Sequence, residues 1–471
     1  MKSILKNTSL QKGLVITVMA FTLQSCFVAK DYTRPEVTET ENLYRTDNLP
    51  SDSISMADIS WKTLFTDTYL SEYIAEGLQN NMDVRIAIQQ MIAAEAYAKQ
   101  GKAGYLPSIS VGANATHQEL SKNGQFGSIF GGGIDQYDIT ANVSWEADIW
   151  GKIRSNKRAT AASYLQSVAA HQAVKTQLIS SIATTYYQLL ALDSQLEITK
   201  KTIESRKNGV ETIKALKDAG LTNQVAVDQN IAQYNSARAL EVDIETAIFK
   251  TENTLSILLG KNAQKFERGS LTNQKIETEL KLGVPSTLLS NRPDVMAAEY
   301  NLIQSFELSN VARSNFYPSL KLTASGGFQS LELDNLIDTN SLFATIIGGL
   351  TQPIFNKRSL KTQQEVALAQ QEQSLLQFKK ALLVAGNEVS NALFTYTSET
   401  KKFEFRKNEV EALRKAEQNS NELLKNGYVT YLDLLTARQS ALNAELNVIG
   451  SKLQQLVSIV NLYEALGGGL N

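Results

Sequence analysis

Cysteine occurs once in the 471 residues, at Cys26. A single thiol excludes any disulfide or cysteine-based metal cluster built within one chain. Histidine is almost as scarce: His117 and His171 are the only two, and neither sits in a metal-ligand spacing. No glycine-rich loop carries a phosphate-binding lysine; Gly131-Gly132-Gly133 lies in a loop without that context. No nucleophile and base stand in a recognisable constellation. Neither catalysis, cofactor nor metal is therefore expected. The 46 basic and 48 acidic side chains leave no cationic excess, which argues against nucleic acid as a partner. Beyond the N-terminus no apolar run approaches the ~18 residues a membrane-spanning helix needs. Any crossing of a bilayer must then be made by strands in a closed barrel.

What is present begins with a signal. Lys2, Lys6 and Lys12 precede the short apolar stretch Leu14–Leu23. Leu23-Gln24-Ser25-Cys26 follows, with the pattern of a lipobox whose acceptor is Cys26. Removing residues 1–25 takes away three lysines and no acid, so the formal charge moves from −2 to −5. Acyl chains on Cys26 would suffice for stable membrane anchoring.

Proline is confined to seven positions and avoids 108–284 and 354–471. An interior proline costs a helix about 3 kcal/mol, so these stretches can carry unbroken helices. Ser155–Leu216 and Ser359–Leu424 are rich in Ala, Leu, Gln, Glu and Lys. Each would run roughly 90–100 Å, too long for a compact core, and must pack side by side as a coiled coil. Gly220, in Ala219-Gly220-Leu221-Thr222-Asn223, and Gly427, in Asn426-Gly427-Tyr428-Val429-Thr430, are stop signals. Helices over Val225–Leu259 and Leu432–Leu466 would run back from them.

These elements recur. Tyr105-Leu106-Pro107-Ser108-Ile109 returns as Phe316-Tyr317-Pro318-Ser319-Leu320, and Gly220 as Gly427. Asp148-Ile149-Trp150-Gly151-Lys152 pairs with Pro353-Ile354-Phe355-Asn356-Lys357. The period is far too long for a solenoid and reads as duplication of a half. The expected organisation is a signal peptide over 1–25, a lipidated extended arm over 26–60, a first repeat over 61–264, a connector over 265–284 and a second repeat over 285–471. Each repeat has the order helix, two strands, long helix, return helix.

Four stretches alternate at period two: Pro107–His117, Tyr137–Ile149, Pro318–Gln329 and, least regularly, Leu342–Ile354. In the second, Tyr137, Ile139, Ala141, Val143, Trp145, Ala147 and Ile149 share one face. Asp138, Thr140, Asn142, Ser144, Glu146 and Asp148 share the other. Each stretch has the length of a tilted transmembrane strand. Glu119–Asp135 and Ser330–Asn340 would be exposed loops. Tyr105, Trp150, Phe316, Tyr317 and Phe355 fall where an interfacial aromatic belt belongs. The alternative is a four-stranded sheet on a soluble core; its polar face is mostly uncharged, unlike a solvated surface. Four strands cannot close in lipid alone, and three copies would give 12.

The lipobox, the duplicated helix-YPSL-strand junctions, Trp145–Arg154 (WEADIWGKIR) and Gly349–Phe355 (GLTQPIF) together resemble the TolC-like outer-membrane factors. The chain resembles the NodT-type efflux lipoprotein branch of that family, and Asn291–Val295 (NRPDV) and Trp61–Asp67 (WKTLFTD) are similar to the family's signatures. The resemblance implies a mainly α-helical chain with a membrane β-barrel, in which long coiled-coil helices form a periplasmic α-barrel. Four strands per chain complete a 12-stranded trimeric barrel. It implies a homotrimer in outer-membrane lipid, anchored at Cys26 and extending into the periplasm. As a passive exit duct it would work with a periplasmic adaptor and an inner-membrane RND-type pump. Alternatives are a type I secretion duct and a non-conducting structural envelope lipoprotein.

By the same resemblance, Gly427–Ala437 matches the segment that closes the periplasmic aperture. Asp433 falls on an aperture aspartate, with Asp228 at similar depth. Thr436 and Val429 depart from the family's acidic and arginine positions. Tyr428 and Tyr431 are further aperture candidates, against ordinary packing. Gly220, Leu221, Thr222, Gly427, Val429 and Thr430 are the expected adaptor-contact turns. Six methionines, two histidines and one cysteine lend no support to a dedicated copper or silver route.

Overall fold

The computed structural model describes residues 28–35, 60–121, 123–124, 133–274 and 292–469. Cys26 lies outside them. In chain order the helices are α1 (Trp61–Leu64), α2 (Thr68–Asn80), α3 (Met82–Ala103), α4 (Lys152–Asp218), α5 (Gln224–Leu258), α6 (Pro293–Ser314), α7 (Ser359–Lys425) and α8 (Tyr431–Ala465). The strands are β1 (Ser108–Glu119), β2 (Gly133–Ala147), β3 (Ser319–Ser330) and β4 (Leu342–Thr351).

Duplication is plain in the element lengths. Helices α4 and α7 have 67 residues each, and α5 and α8 have 35 each. Both long helices extend outside the expected bounds. The start of α4 is set by Asp148, whose carboxylate accepts the N–H groups of Ile153 at 2.9 Å and Arg154 at 2.8 Å. Those are donors a helix N-terminus cannot satisfy internally.

One sheet of four strands has the order β1-β2-β3-β4, all antiparallel. Ser108 pairs with Ser144 in the first ladder and Ser319 with Thr351 in the third. The equivalence of halves is thus a shift of 211 from β1 to β3 and of 207 from β2 to β4. That corrects the pairing of Asp148–Lys152 with Pro353–Lys357, which lies two residues out of step. The strand limits also move, most at the start of β2, which is Gly133 rather than Tyr137, and at the end of β4, which is Thr351 rather than Ile354; the others shift by one or two residues or stay.

Two compact units are built from interleaved segments. One holds the sheet, with residues 92–166, 298–377 and the segment ending at Pro35. Its strap, residues 28–35, is pinned by many bonds. Lys30 N donates to Asn310 Oδ1 at 3.2 Å, and Asn310 Nδ2 returns a bond to Lys30 O at 2.9 Å. Arg34 grips Glu299 through two nitrogens at 2.6 and 2.5 Å. Tyr32 meets Phe306 edge-on at 5.6 Å.

The other unit comprises residues 36–91, 167–297 and 378–471. Its core gathers Phe65, Leu70, Ile74, Ile182, Tyr186, Tyr187, Leu255, Val460 and Leu466, all essentially buried. Asp67 caps α2 through Leu70 N and also accepts the Tyr186 hydroxyl at 2.8 Å. Arg268 spans Asp193 on α4 and Glu252 on α5, at 2.5 and 2.6 Å. Arg292, from the NRPDV stretch, binds Asp294, Glu388 and the carbonyl of Ala465 at the end of α8. No helix among the described residues is long and apolar enough to cross a membrane.

Candidate functional site: a two-faced sheet and two helical tips

Register turns the strand alternation into continuous rows. Ile109, Val143, Ala324 and Ile346 stand in line across all four strands. So do Val111, Ala141, Gly326 and Ala344, and next to them Ala113, Ile139, Phe328 and Leu342. On the opposite face run Ser110, Asn142, Ser325 and Thr345. One face therefore suits hydrocarbon and the other water. The weak alternation of β4 has a source: Phe343 and Ile347 sit on its polar side. Apolar side chains stay exposed on the other, with Ile109 at 69% and Ile346 at 76%.

Aromatic side chains close the helix-side end of the sheet. Trp150 stacks on Tyr317 at 4.9 Å and donates Nε1 to Pro318 O at 2.8 Å. Trp145 Nε1 donates to Tyr105 O at 3.0 Å. Phe316 is partly exposed and Phe355 almost wholly so.

At the C-terminal ends of the long helices lie two turns of one design. Leu221 N bonds Leu216 O at 2.9 Å while Gly220 N bonds Lys217 O at 2.8 Å. Tyr428 N bonds Leu423 O and Gly427 N bonds Leu424 O, both at 3.0 Å. Gly220 and Gly427 both take φ of +75°, the left-handed conformation a side chain disfavours. Thr222 follows the first turn, and Val429 and Thr430 follow the second. Each tip presents large apolar groups to solvent: Leu221 and Val225 on the first, Tyr428 and Leu432 at the equivalent places on the second.

Return helices start from side-chain caps. Asn223 Oδ1 accepts from Ala226 N at 3.1 Å. Thr430 and Asp433 form a capping box: Asp433 Oδ2 takes the Thr430 N–H at 2.8 Å and its hydroxyl at 2.7 Å. These bonds, led by the hydroxyl's, hold the Asp433 carboxyl below the usual range. Asp228 is exposed and accepts from Gln224 Nε2 at 2.8 Å. Thr436 bonds back to Leu432 O at 2.9 Å.

Sequence reasoning missed a polar tie between the two hairpins. Arg206 of α4 is buried; it donates to Gln233 O on α5 at 2.5 Å and to Gln439 Oε1 on α8 at 2.6 Å. The Tyr431 hydroxyl donates to Asn230 Oδ1 on α5. Burial pushes the Tyr431 hydroxyl's pKa up and that of Arg206 down, the latter aided by neighbouring Arg438. Gly209 leaves room for this approach: a Cβ there would lie 3.0 Å from the Tyr431 oxygen and crowd it. Between α5 and α8 lies an open groove of about 340 Å³, lined by Gln229, Gln233, Leu435, Thr436 and Gln439. Tyr431 is an aperture candidate from the sequence, but nothing there marks Arg206, Asn230 or Gln439 as its neighbours; only the inter-helix packing brings them together.

Known proteins share this fold. The outer membrane efflux protein family matches residues 73–261 and 284–468. The probable outer membrane lipoprotein SilC of Salmonella typhimurium is 27% identical over 452 residues, covering 95% of this chain and 97% of that protein. The cation efflux system protein CusC of Escherichia coli O157:H7 is 25% identical over 454 residues, covering 96% and 97%. The toluene efflux pump outer membrane protein TtgC of Pseudomonas putida is 27% identical over 463 residues, covering 97% and 95%. Among solved structures, the open-state MtrE outer membrane channel of Neisseria gonorrhoeae superposes with a TM-score of 0.83 at 25% identity, over 94% of this chain and 98% of that one. The CmeC outer membrane channel of Campylobacter jejuni gives 0.84 at 24% identity, over 94% and 95%. The expected fold class and outer-membrane setting stand: a mainly helical chain with strands for a membrane β-barrel. The chain belongs to the outer membrane efflux protein family.

Proposed function

We propose that three copies close their sheets into one 12-stranded barrel, and that this barrel is the exit duct of a tripartite efflux system. One observation carries the reading: a sheet apolar on one face, polar on the other and open at both edges. Such a sheet is viable in lipid only when a ring of copies removes the edges. The duct docks to a periplasmic adaptor, which links it to an RND-type inner-membrane pump. The paired apolar tips, Leu221 with Val225 and Tyr428 with Leu432, are the docking points. Efflux is favoured over secretion because relatives alike over almost the whole chain are named as efflux components. No enzyme activity is proposed.

Asp433 serves two ends in this reading. Its Oδ2 caps α8, and its carboxylate, kept ionised by those bonds, contributes with its copies to a negative ring at the aperture. Asp228 adds charge at similar depth. Tyr428 faces solvent at the tip, whereas Tyr431 is engaged with Asn230. Planar-bilayer recording tests both claims. The purified protein conducts, and Asp433→Ala lowers its preference for cations. A protein that passes no current has no duct, and unchanged selectivity removes Asp433 from the pore.

Cys26 carries the lipid anchor, two residues ahead of the strap that Asn310, Glu299 and Arg158 hold. Cells fed labelled palmitate should incorporate it into the wild-type chain and not into Cys26→Ser. Equal labelling of the two would exclude lipidation at this residue.

A further inference from the structure

Strands β1 and β4 stand at opposite ends of the sheet order, each with one neighbour. We propose a defined register for the ladder joining β4 of one copy to β1 of the partner subunit. The strands run antiparallel, with Thr351 opposite Gly112 of the partner subunit, Leu350 opposite its Ala113 and Ile347 opposite its Thr116. Residues 352–354 become strand when this ladder forms. The inference rests on the ring of copies proposed above.

The chain contains its own template. Its halves match under fixed shifts, 211 from β1 to β3 and 207 from β2 onward; the first and third ladders share one register under them, and features outside the ladders obey them too. Gly112↔Thr140 and Ala115↔Tyr137 in the first ladder become Thr323↔Ile347 and Gly326↔Ala344 in the third, both observed. The bond from Trp145 Nε1 to Tyr105 O, 3.0 Å, becomes the observed bond from Gln352 Nε2 to Phe316 O, 2.9 Å. Gly151, with φ +76°, becomes Arg358, with φ +68°. Lys152, the first residue of α4, becomes Ser359, the first of α7.

One ladder has no counterpart inside the chain, that between β2 and β3. Its counterpart would join β4 to β1, which only a second copy can supply. The same shifts carry Ser144↔Thr323 to Thr351↔Gly112, Val143↔Ala324 to Leu350↔Ala113, and Thr140↔Gly327 to Ile347↔Thr116. Face parity follows: Leu350 and Ala113 both belong to the apolar side. A one-residue slip would reverse every side chain, so the competing registers are slips of two.

An overhang supports the choice. Strand β2 continues past its last β1 partner, Ser144, and Trp145, Glu146 and Ala147 pair only with β3. Their equivalents are Gln352, Pro353 and Ile354, which continue past Thr351, the last β4 residue paired to β3. In the single chain these three lie outside any strand, and Ile354 is 93% exposed. The register sets Ile354 across from Ile109 of the partner subunit, itself 69% exposed, on the apolar face. Pro353 is accommodated if its nitrogen faces away from the partner, on the side where the β3 ladder has already ended.

Cross-linking in native membranes decides it. Directly opposed Cβ atoms stand about 5 Å apart and diagonal ones about 7–8 Å, so disulfide formation separates the registers. Leu350→Cys with Ala113→Cys should oxidise to covalent dimers and trimers roughly ten times faster than Leu350→Cys with Val111→Cys or with Ala115→Cys. On the other face, Ile347→Cys with Thr116→Cys should outrun its pairings with Asn114→Cys and Gln118→Cys. Two faces keep the test alive if one substitution disturbs folding. Cys26 is common to all six doubles, and single-cysteine variants measure its background. A slipped pair that forms fastest overturns the register while leaving the ring intact. Silence of all six pairs removes the ring itself, and the register with it.

Discussion

Val143→Arg should empty the outer membrane of this protein, whereas Asn142→Arg, one residue away, should leave it in place. Val143 lies mid-strand in β2, flanked by Ile109 and Ala324 on the apolar face. An arginine facing lipid near the midplane costs about 2–4 kcal/mol, and a ring of three copies meets that cost three times. Asn142 lies between Ser110 and Ser325 on the polar face. There a guanidinium stays hydrated and adds positive charge to the lumen, so ion preference shifts towards anions. Outer-membrane fractionation reads the first effect, and reversal potentials in planar bilayers read the second. Equal tolerance at both positions would show that the faces are assigned wrongly.

This contrast follows from a feature already legible in the chain, the period-two alternation from Tyr137 to Ala147. Alternation specifies a face because successive strand side chains must point oppositely. It does not specify where a strand ends. The pattern runs through to Ile354, yet β4 stops at Thr351, because Gln352–Ile354 have no strand to pair with within the chain. Helix starts are blurred similarly. The carboxylate that fixes α4 is Asp148, outside the helix by four residues, and no periodicity reports such a cap. The Thr430-x-x-Asp433 spacing, by contrast, does carry a capping signal, which the reading of Asp433 as a pore charge passes over. The hairpin tie is out of reach altogether. Arg206 and Gln439 are 233 residues apart, and Tyr431 and Asn230 are 201 apart. In the sequence Arg206, Asn230 and Gln439 look like further polar residues on long helices, and Tyr431, though an aperture candidate, gives no sign of its partner; burial separates them from their exposed neighbours only after the helices are assembled.

That tie makes the second large expected effect. Tyr431→Phe removes one bond between α8 and α5 and strands the carbonyl oxygen of Asn230, a buried side chain. Arg206→Met removes both the bond to Gln233 O and the bond to Gln439 Oε1. A lost bond to a buried neutral group costs about 1–3 kcal/mol, and every ~1.4 kcal/mol is tenfold in an equilibrium. If the bonds exist only while the hairpins lie together, weakening them multiplies the open population by roughly 5- to 100-fold. Single-channel open probability should then rise in Tyr431→Phe, rise further in Arg206→Met, and rise less than additively in the double variant, since the two bonds share α5 and α8. Gly209→Val should act likewise, because its side chain would push on the Tyr431 oxygen and the Arg438 guanidinium. Thermal unfolding of the same variants separates gating from plain destabilisation. A lowered melting temperature with unchanged open probability would mean that the tie holds in both states and only stabilises the fold.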